Sequence, residues 1–168
     1  MRTALASALA SSLALCGCGQ RADFWSHRPD PTTVAVASSS SVALIDTPAE
    51  RVVLFSADGE LSLTPTYVPI GRVPVATAST PDGKRIVVLT RGDVPRRTAS
   101  DQAPALWVLG GATGPGLEHR YELSDPLSGL ELDPESRFAI VHATDADASF
   151  VEYPNELVVI VLTQPPGP

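Results

Sequence analysis

Ser79-Thr80-Pro81-Asp82-Gly83-Lys84-Arg85-Ile86-Val87-Val88-Leu89-Thr90 sets a tight reversal directly in front of a run of strand-forming residues. In Thr80-Pro81-Asp82-Gly83, proline presets φ at the second turn position and glycine takes the left-handed position that follows. Arg85 to Thr90 is then β-branched and apolar over the length of one strand. A second copy lies downstream, where Asp133-Pro134-Glu135-Ser136-Arg137 leads into Phe138-Ala139-Ile140-Val141. Pro81 and Pro134 stand 53 positions apart, a spacing on the scale of repeat arrays. The chain reads as a repeat protein made of short strands.

Working outward, the same kind of run recurs as Val42-Ala43-Leu44-Ile45, Val52-Val53-Leu54-Phe55, Leu106-Trp107-Val108-Leu109 and Leu157-Val158-Val159-Ile160-Val161-Leu162. Each has strand length and none reaches the roughly ten residues of a helix. Asp58-Gly59, Asp82-Gly83, Gly110-Gly111 and Gly114-Pro115-Gly116 mark turns between them. The runs are continuous rather than alternating. A sheet with one wet face alternates apolar and polar residues, so strands apolar throughout are expected to be covered on both faces. No amphipathic helical segment is present to do the covering. Sheets packed face to face on like sheets would do it instead.

Laid out this way, 42–162 resembles the YVTN-type β-propeller superfamily. One blade traces as 73–79, 84–90, 105–110 and 117–123, from inner to outermost strand. The stretch Ala105-Leu106-Trp107-Val108-Leu109-Gly110-Gly111-Ala112-Thr113-Gly114 is similar to that family's third strand and turn, with glycine at Gly110 where aspartate is commoner. The next blade repeats as 128–132, 137–143 and 156–162, and 42–45 with 51–56 would be late strands of a preceding one. The resemblance implies an all-β fold of antiparallel propeller-type blades. Complete rings hold about four to eight blades, and about two and a half are legible here, an incomplete ring. The chain stops after a third strand, in Thr163-Gln164-Pro165-Pro166-Gly167-Pro168, where prolines forbid further ladder pairing. A two-sheet β-sandwich is the alternative. The unpartnered outer faces of such blades are expected to drive self-association.

The amino terminus reads differently. Arg2 gives a short positive start, and 4–15 is an apolar run of signal-peptide length, too short to span a bilayer as a helix. Leu15-Cys16-Gly17-Cys18 follows and resembles the bacterial lipobox: leucine at the third position before the modified cysteine, a small residue just before it. The resemblance implies cleavage before Cys18, diacylglycerol on its thiol and acylation of the new amino group. Several acyl chains make a stable anchor where one would be marginal. Gly19 stands where aspartate would resemble an inner-membrane retention signal, so the implied destination is the outer membrane, on its periplasmic or surface side. The expected organisation is a signal peptide over 1–17, a lipidated and mostly irregular tether over 18–41, and the propeller-like domain over 42–168.

Among 168 residues, 43% are apolar and 18% charged, enough apolar content for a core. The formal net charge of −7 argues against a general nucleic-acid partner, which needs a basic surface to displace counterions from phosphate. An acidic balance serves solubility as well as it serves any cationic partner.

A search for chemistry yields little. His27, His119 and His142 lie far apart with no metal-ligand spacing. Asp145-Ala146-Asp147 lacks the glycine and distal glutamate of a calcium loop. There is no Gly-x-Ser-x-Gly elbow, no phosphate-binding glycine loop and no Ser-x-x-Lys, and no cofactor is implied. Arg91-Gly92-Asp93 matches an integrin-binding tripeptide, but a turn after a strand explains it as well. Two long connections do stand out: 91–104, with Arg91, Arg96 and Arg97, and 144–155, with Asp145, Asp147 and Glu152. In the blade reading both emerge on one face, where repeat proteins bind. Pairing of these opposite charges with each other is the plainer use for them. The expected function is non-catalytic binding or scaffolding, with the membrane reached through the lipid and the ligand or protein partner open. A fragment of a propeller-fold lyase or hydrolase is the second reading, although the inner strands offer Glu131 as their sole ionisable group. A truncated reading frame without independent function is the third.

Overall fold

The computed structural model describes residues 34–37, 41–56, 64–110, 116–147, 149–151 and 155–163. Eleven strands run in chain order: β1 (Val34–Ala37), β2 (Ser41–Asp46), β3 (Arg51–Ser56), β4 (Thr66–Pro69), β5 (Pro74–Ser79), β6 (Arg85–Thr90), β7 (Ala105–Gly110), β8 (Leu117–Glu122), β9 (Gly129–Leu132), β10 (Phe138–His142) and β11 (Leu157–Val161). One 3-10 turn, Asp145–Asp147, interrupts them. The fold is all-β, with no α-helix among the described residues. Three antiparallel sheets form from consecutive strands, β1 to β4, β5 to β8 and β9 to β11. Each first strand lies beside the next sheet's first strand, β1 against β5 and β5 against β9.

Three sheets stand where about two and a half units were expected, and the first of them gains a strand at each end. Val34–Ala37 lies inside the stretch expected to be irregular, yet it pairs with β2 in register Val34↔Ile45 to Ala37↔Val42. Thr66–Pro69 closes the same sheet on β3. Both are four-residue strands, and β4 ends in a proline, which an outermost strand tolerates because it leaves no inward N–H unpaired. The described strands form three sheets rather than the two of a sandwich, with a core on each face of the second. The leader, Cys18, Glu152 and the turn signal Asp58-Gly59 lie outside the described residues.

Alternation of side chains builds two separate cores on the two faces of the second sheet. Ile86, Val88 and Leu109 face the first sheet and pack with Ala43, Ile45, Val52, Leu54, Val68 and Ile70. Val87, Leu89, Leu106 and Val108 face the other way and pack with Ala139, Val141, Ile160 and Leu162. From Ile86 to Thr90 every residue of β6 is therefore buried. Continuous apolar runs do mean covered faces, but only here. In β2, β3 and β10 burial alternates, and Leu157 and Val159 of β11 are 57% and 56% exposed. The outward face of the third sheet is exposed at Leu157, Val159 and Val161, and that of the first is half-buried at Val42, Leu44, Val53 and Phe55.

The two turns read from the sequence have the same hydrogen bonds. Gly83 N–H donates to the Thr80 carbonyl at 2.8 Å and Thr80 N–H to that of Arg85 at 2.9 Å. Ser136 N–H donates to Asp133 at 2.8 Å, and Asp133 N–H to Phe138 at 3.0 Å. Gly83 sits at φ 67° and Ser136 at φ 60°, so Ser136 fills the left-handed position without glycine's freedom. Its hydroxyl explains its use: Ser136 Oγ accepts from Asp82 N–H at 2.8 Å, tying the two turns together across neighbouring sheets. Val73, by contrast, holds φ 54° as a β-branched residue in front of Pro74, an outlier on both counts.

Opposite shifts are expected at two positions of like backbone. Gly83→Val should lower stability by roughly 1–2 kcal/mol, because a β-branched residue is penalised at positive φ. Val73→Gly should raise it by about 1 kcal/mol, strain relief exceeding the entropy that glycine adds to the unfolded chain. Thermal melts that move both variants in one direction would contradict these backbone assignments.

Candidate functional site

The connections that follow the second strand of each sheet meet through side chains of 47–50, 91–104 and 143–147. What holds them is a set of ion pairs that the strand ends deliver. Asp147 closes the 3-10 turn and is fully buried. Its Oδ2 accepts from Ser128 Oγ at 2.6 Å, Ser128 N–H at 3.0 Å and Thr144 N–H at 2.8 Å. Its Oδ1 accepts from Arg91 Nη2 at 3.2 Å. Burial alone would push this carboxyl up, but the Ser128 and Thr144 donors outweigh it and hold it below the ordinary carboxylate range. The Arg91 guanidinium lies 5.2 Å from the Phe150 ring centroid, and its Nε is buried with no acceptor among the described residues. Arg91 leaves β6 and Asp147 sits after β10, so the pair clamps the second sheet to the third.

A matching clamp joins the second sheet to the first. Arg72, on the connection from β4 to β5, donates from Nε to Glu50 at 3.0 Å and from Nη1 to Asp93 at 2.9 Å. Asp93 also accepts from Gln102 N–H at 2.8 Å, and Gln102 Oε1 accepts from Arg72 N–H at 2.9 Å. The Gln102 backbone donor first, and Arg72 second, keep the Asp93 carboxyl below its usual value. Between them Gly92 takes φ 69°, and a β-carbon there would stand 2.9 Å from the Ala103 carbonyl oxygen. Arg91-Gly92-Asp93 is thus a corner whose two charged ends serve different sheets.

Beyond this corner the 91–104 connection curls round an open cleft of about 460 Å³ lined by Asp93, Val94, Pro95, Arg97, Thr98 and Asp101. Asp101 holds the curl. Its Oδ2 accepts from the backbone N–H groups of Arg97 and Thr98, and its Oδ1 accepts from Thr98 Oγ1 at 2.7 Å. Those donors, the Arg97 backbone first, bring its carboxyl down to about 2. Both carboxylates of the cleft are therefore committed acceptors, poorly placed for proton transfer. Arg97 itself is exposed and has no ion-pair partner among the described residues.

Of the residues singled out in the sequence, Arg91 and Asp147 meet. Arg96 points elsewhere, its Nη1 4.0 Å from Glu122 on the outermost strand of the second sheet. Asp145 is exposed at the start of the 3-10 turn. His119 and His142 do not approach each other's chemistry: His119 packs edge-on against Tyr121, and His142 Nδ1 is 2.9 Å from the Ala143 carbonyl oxygen. No group able to hold a metal ion exists among the described residues. Arg72, Asp93, Asp101, Ser128 and Thr144 were not legible as site residues. Gly92 before Asp93 was the only local sign, since the remaining partners come from other strands.

Two outcomes are expected. Asp147→Ala should cost about 3 kcal/mol in a denaturant titration, because it strands the Arg91 cation and the Ser128 and Thr144 donors. The Asp101 carboxyl, being lowered on folding, supports the curl fully above about pH 4 and loses that support as pH falls through about 2. Carboxyl-detected NMR should find this midpoint near 2, and a midpoint near 4 would deny the three-donor geometry.

No family profile and no curated protein sequence matches the chain. Among solved structures, a chain of Kuenenia stuttgartiensis hydrazine synthase superposes with a TM-score of 0.50 and 19% identity. The match spans 76% of this chain and 32% of that one, so this chain corresponds to about a third of its length. At that identity the likeness is one of fold alone, an all-β arrangement of antiparallel sheets.

Proposed function

We propose that this chain is a lipid-anchored protein of the bacterial outer membrane whose sheets are neighbouring blades of a propeller-type arrangement, and that it binds or scaffolds through its loop end. The single observation that carries the binding role is the pre-set loop end. The Arg91–Asp147 and Arg72–Asp93 clamps fix the long connections to the sheets, and the Asp101 cap fixes the curl of the cleft. A surface already ordered before its partner arrives loses little entropy on binding. Arg97 and Asp145 project from this surface, so a polar or charged ligand or protein segment suits it. Consecutive strand order within each sheet, with β1, β5 and β9 side by side, favours the propeller-type arrangement. Leu15-Cys16-Gly17-Cys18 supports the anchor, with Cys18 as the acylated residue, and Gly19 supports the outer membrane as its destination.

Cys18→Ser should abolish palmitate incorporation and leave an unprocessed precursor in the producing cell, while Cys16→Ser should leave both processing and labelling intact. Loss with Cys16→Ser and survival with Cys18→Ser would place the anchor two residues upstream. For the binding role, a photo-crosslinking residue at position 97 should give a discrete adduct in intact envelopes, and one at position 84, on the opposite end, should not. Equal labelling at both ends would remove the loop end as the binding surface.

A further inference from the structure

The packing of the three sheets is directional. Each sheet has a forward face toward the next sheet in the chain and a rear face toward the one before. The second sheet's rear face, with Ile86, Val88 and Leu109, lies on the first sheet's forward face. Its forward face, with Val87, Leu89, Leu106 and Val108, lies under the third sheet's rear face. The 53-residue spacing carries this equivalence onward: Val87 corresponds to Ile140, and Leu89 to His142. The third sheet's forward face therefore presents Phe138, Ile140, Leu157, Val159 and Val161, paired across strands as Phe138↔Val161 and Ile140↔Val159. The first sheet's rear face presents Val42, Leu44, Val53 and Phe55, paired as Val42↔Phe55 and Leu44↔Val53. These two faces are the two halves of the contact already made twice inside the chain, and each lacks its other half among the described residues.

We infer that the third sheet's forward face is a docking surface for the first sheet's rear face of a second copy of this chain. The contact made twice, about a two-fold axis along β1, β5 and β9, closes a ring of six sheets. Continuity with the internal contacts is the argument for this occupant, because a second copy brings a rear face of the kind that the forward face of the second sheet already accepts. Size agrees. With about 400 Å² of apolar surface on each face, the order of the largest patch on a typical monomer, four faces brought together bury on the order of 1,600 Å², a standard specific interface. Closure also matters, since a head-to-tail contact that fails to close grows into open filaments. The inference rests on the propeller-type reading, because only sheets fanned about a common axis close with six.

The test is the mass of the full chain, extracted from membranes in mild detergent, measured by light scattering across a hundredfold dilution. Twice the chain mass is expected, falling to one chain with Val159→Glu, whose side chain is 56% exposed in the single chain and so leaves its fold intact. A mixture of the Val53→Cys and Val159→Cys proteins should cross-link with a short bismaleimide, and neither protein alone should give more product than the parent chain. Cross-linking of Val159→Cys with itself would overturn the head-to-tail contact. A monodisperse monomer with a cooperative melt would overturn the second copy and leave the propeller-type reading standing. Species that grow without limit on concentration would instead refute the common axis, and that reading with it.

Discussion

Everything in this molecule hangs on the second sheet being covered on both faces. Ile86 and Val88 serve one core while Val87 and Leu89 serve the other, so one strand is shared by two hydrophobic interiors. Fully burying an aliphatic side chain is worth about 1.5–3 kcal/mol, and a net intramolecular hydrogen bond about 0.5–1.5 kcal/mol. The four central residues of β6 thus outweigh the ladder bonds that align them. Polar groups enter this layer only when paired internally. Thr90 is fully buried and accepts the Trp107 indole N–H at 3.0 Å, which lets that ring fill the rear core with its nitrogen satisfied.

Apolar packing is non-directional and would allow neighbouring sheets to slide. The polar contacts between sheets are placed where they prevent it. At one end Ser136 accepts from Asp82 and ties turn to turn. At the other Arg72 and Arg91 cross to carboxylates on neighbouring sheets. The two clamps differ in strength because their surroundings differ. Asp147 is buried and its carboxylate accepts five hydrogen bonds, from Arg91, Ser128 and Thr144, so removing the carboxylate strands a charge and several donors. Arg72 is half exposed, and solvent screening leaves such a pair within about 1 kcal/mol.

How much of this could be read from residue order follows from the range of each interaction. The strands 85–90 and 105–110 were legible to within a residue, because local turn chemistry and apolar content agree there. The turn at Asp133-Pro134-Glu135-Ser136 was legible as a copy of Thr80-Pro81-Asp82-Gly83, although the reason for serine lay 54 residues away, in Asp82. Val34–Ala37 and Thr66–Pro69 escaped because four residues beside prolines and threonines carry little signal of their own, and their partners supply the order. Even coverage of all apolar runs was expected, and only the second sheet has it, since coverage depends on what stands alongside rather than on the run itself. Of the charged loop residues, Arg91 and Asp147 were named for opposite sign in neighbouring loops. Arg72 and Asp101 could not be, because their roles arise from backbone donors and from a connection outside those loops.

The use of charge at the loop end bears on what kind of work it can do. A catalytic carboxylate needs a value near the working pH and a free lone pair aimed at the substrate. Asp93, Asp101 and Asp147 are all pulled the other way, lowered by N–H and O–H donors that occupy their oxygens. The same bonds that spoil these groups for proton transfer stiffen the connections they close. Stiffness has value for recognition, where an ordered surface avoids the ordering cost on association. Asp93, Asp101 and Asp147 are thus spent on shape, while Arg97 and Asp145 stay exposed beside them. In the proposed binding role, the spacing of such exposed groups is what a partner would read, and the clamps beneath them set that spacing.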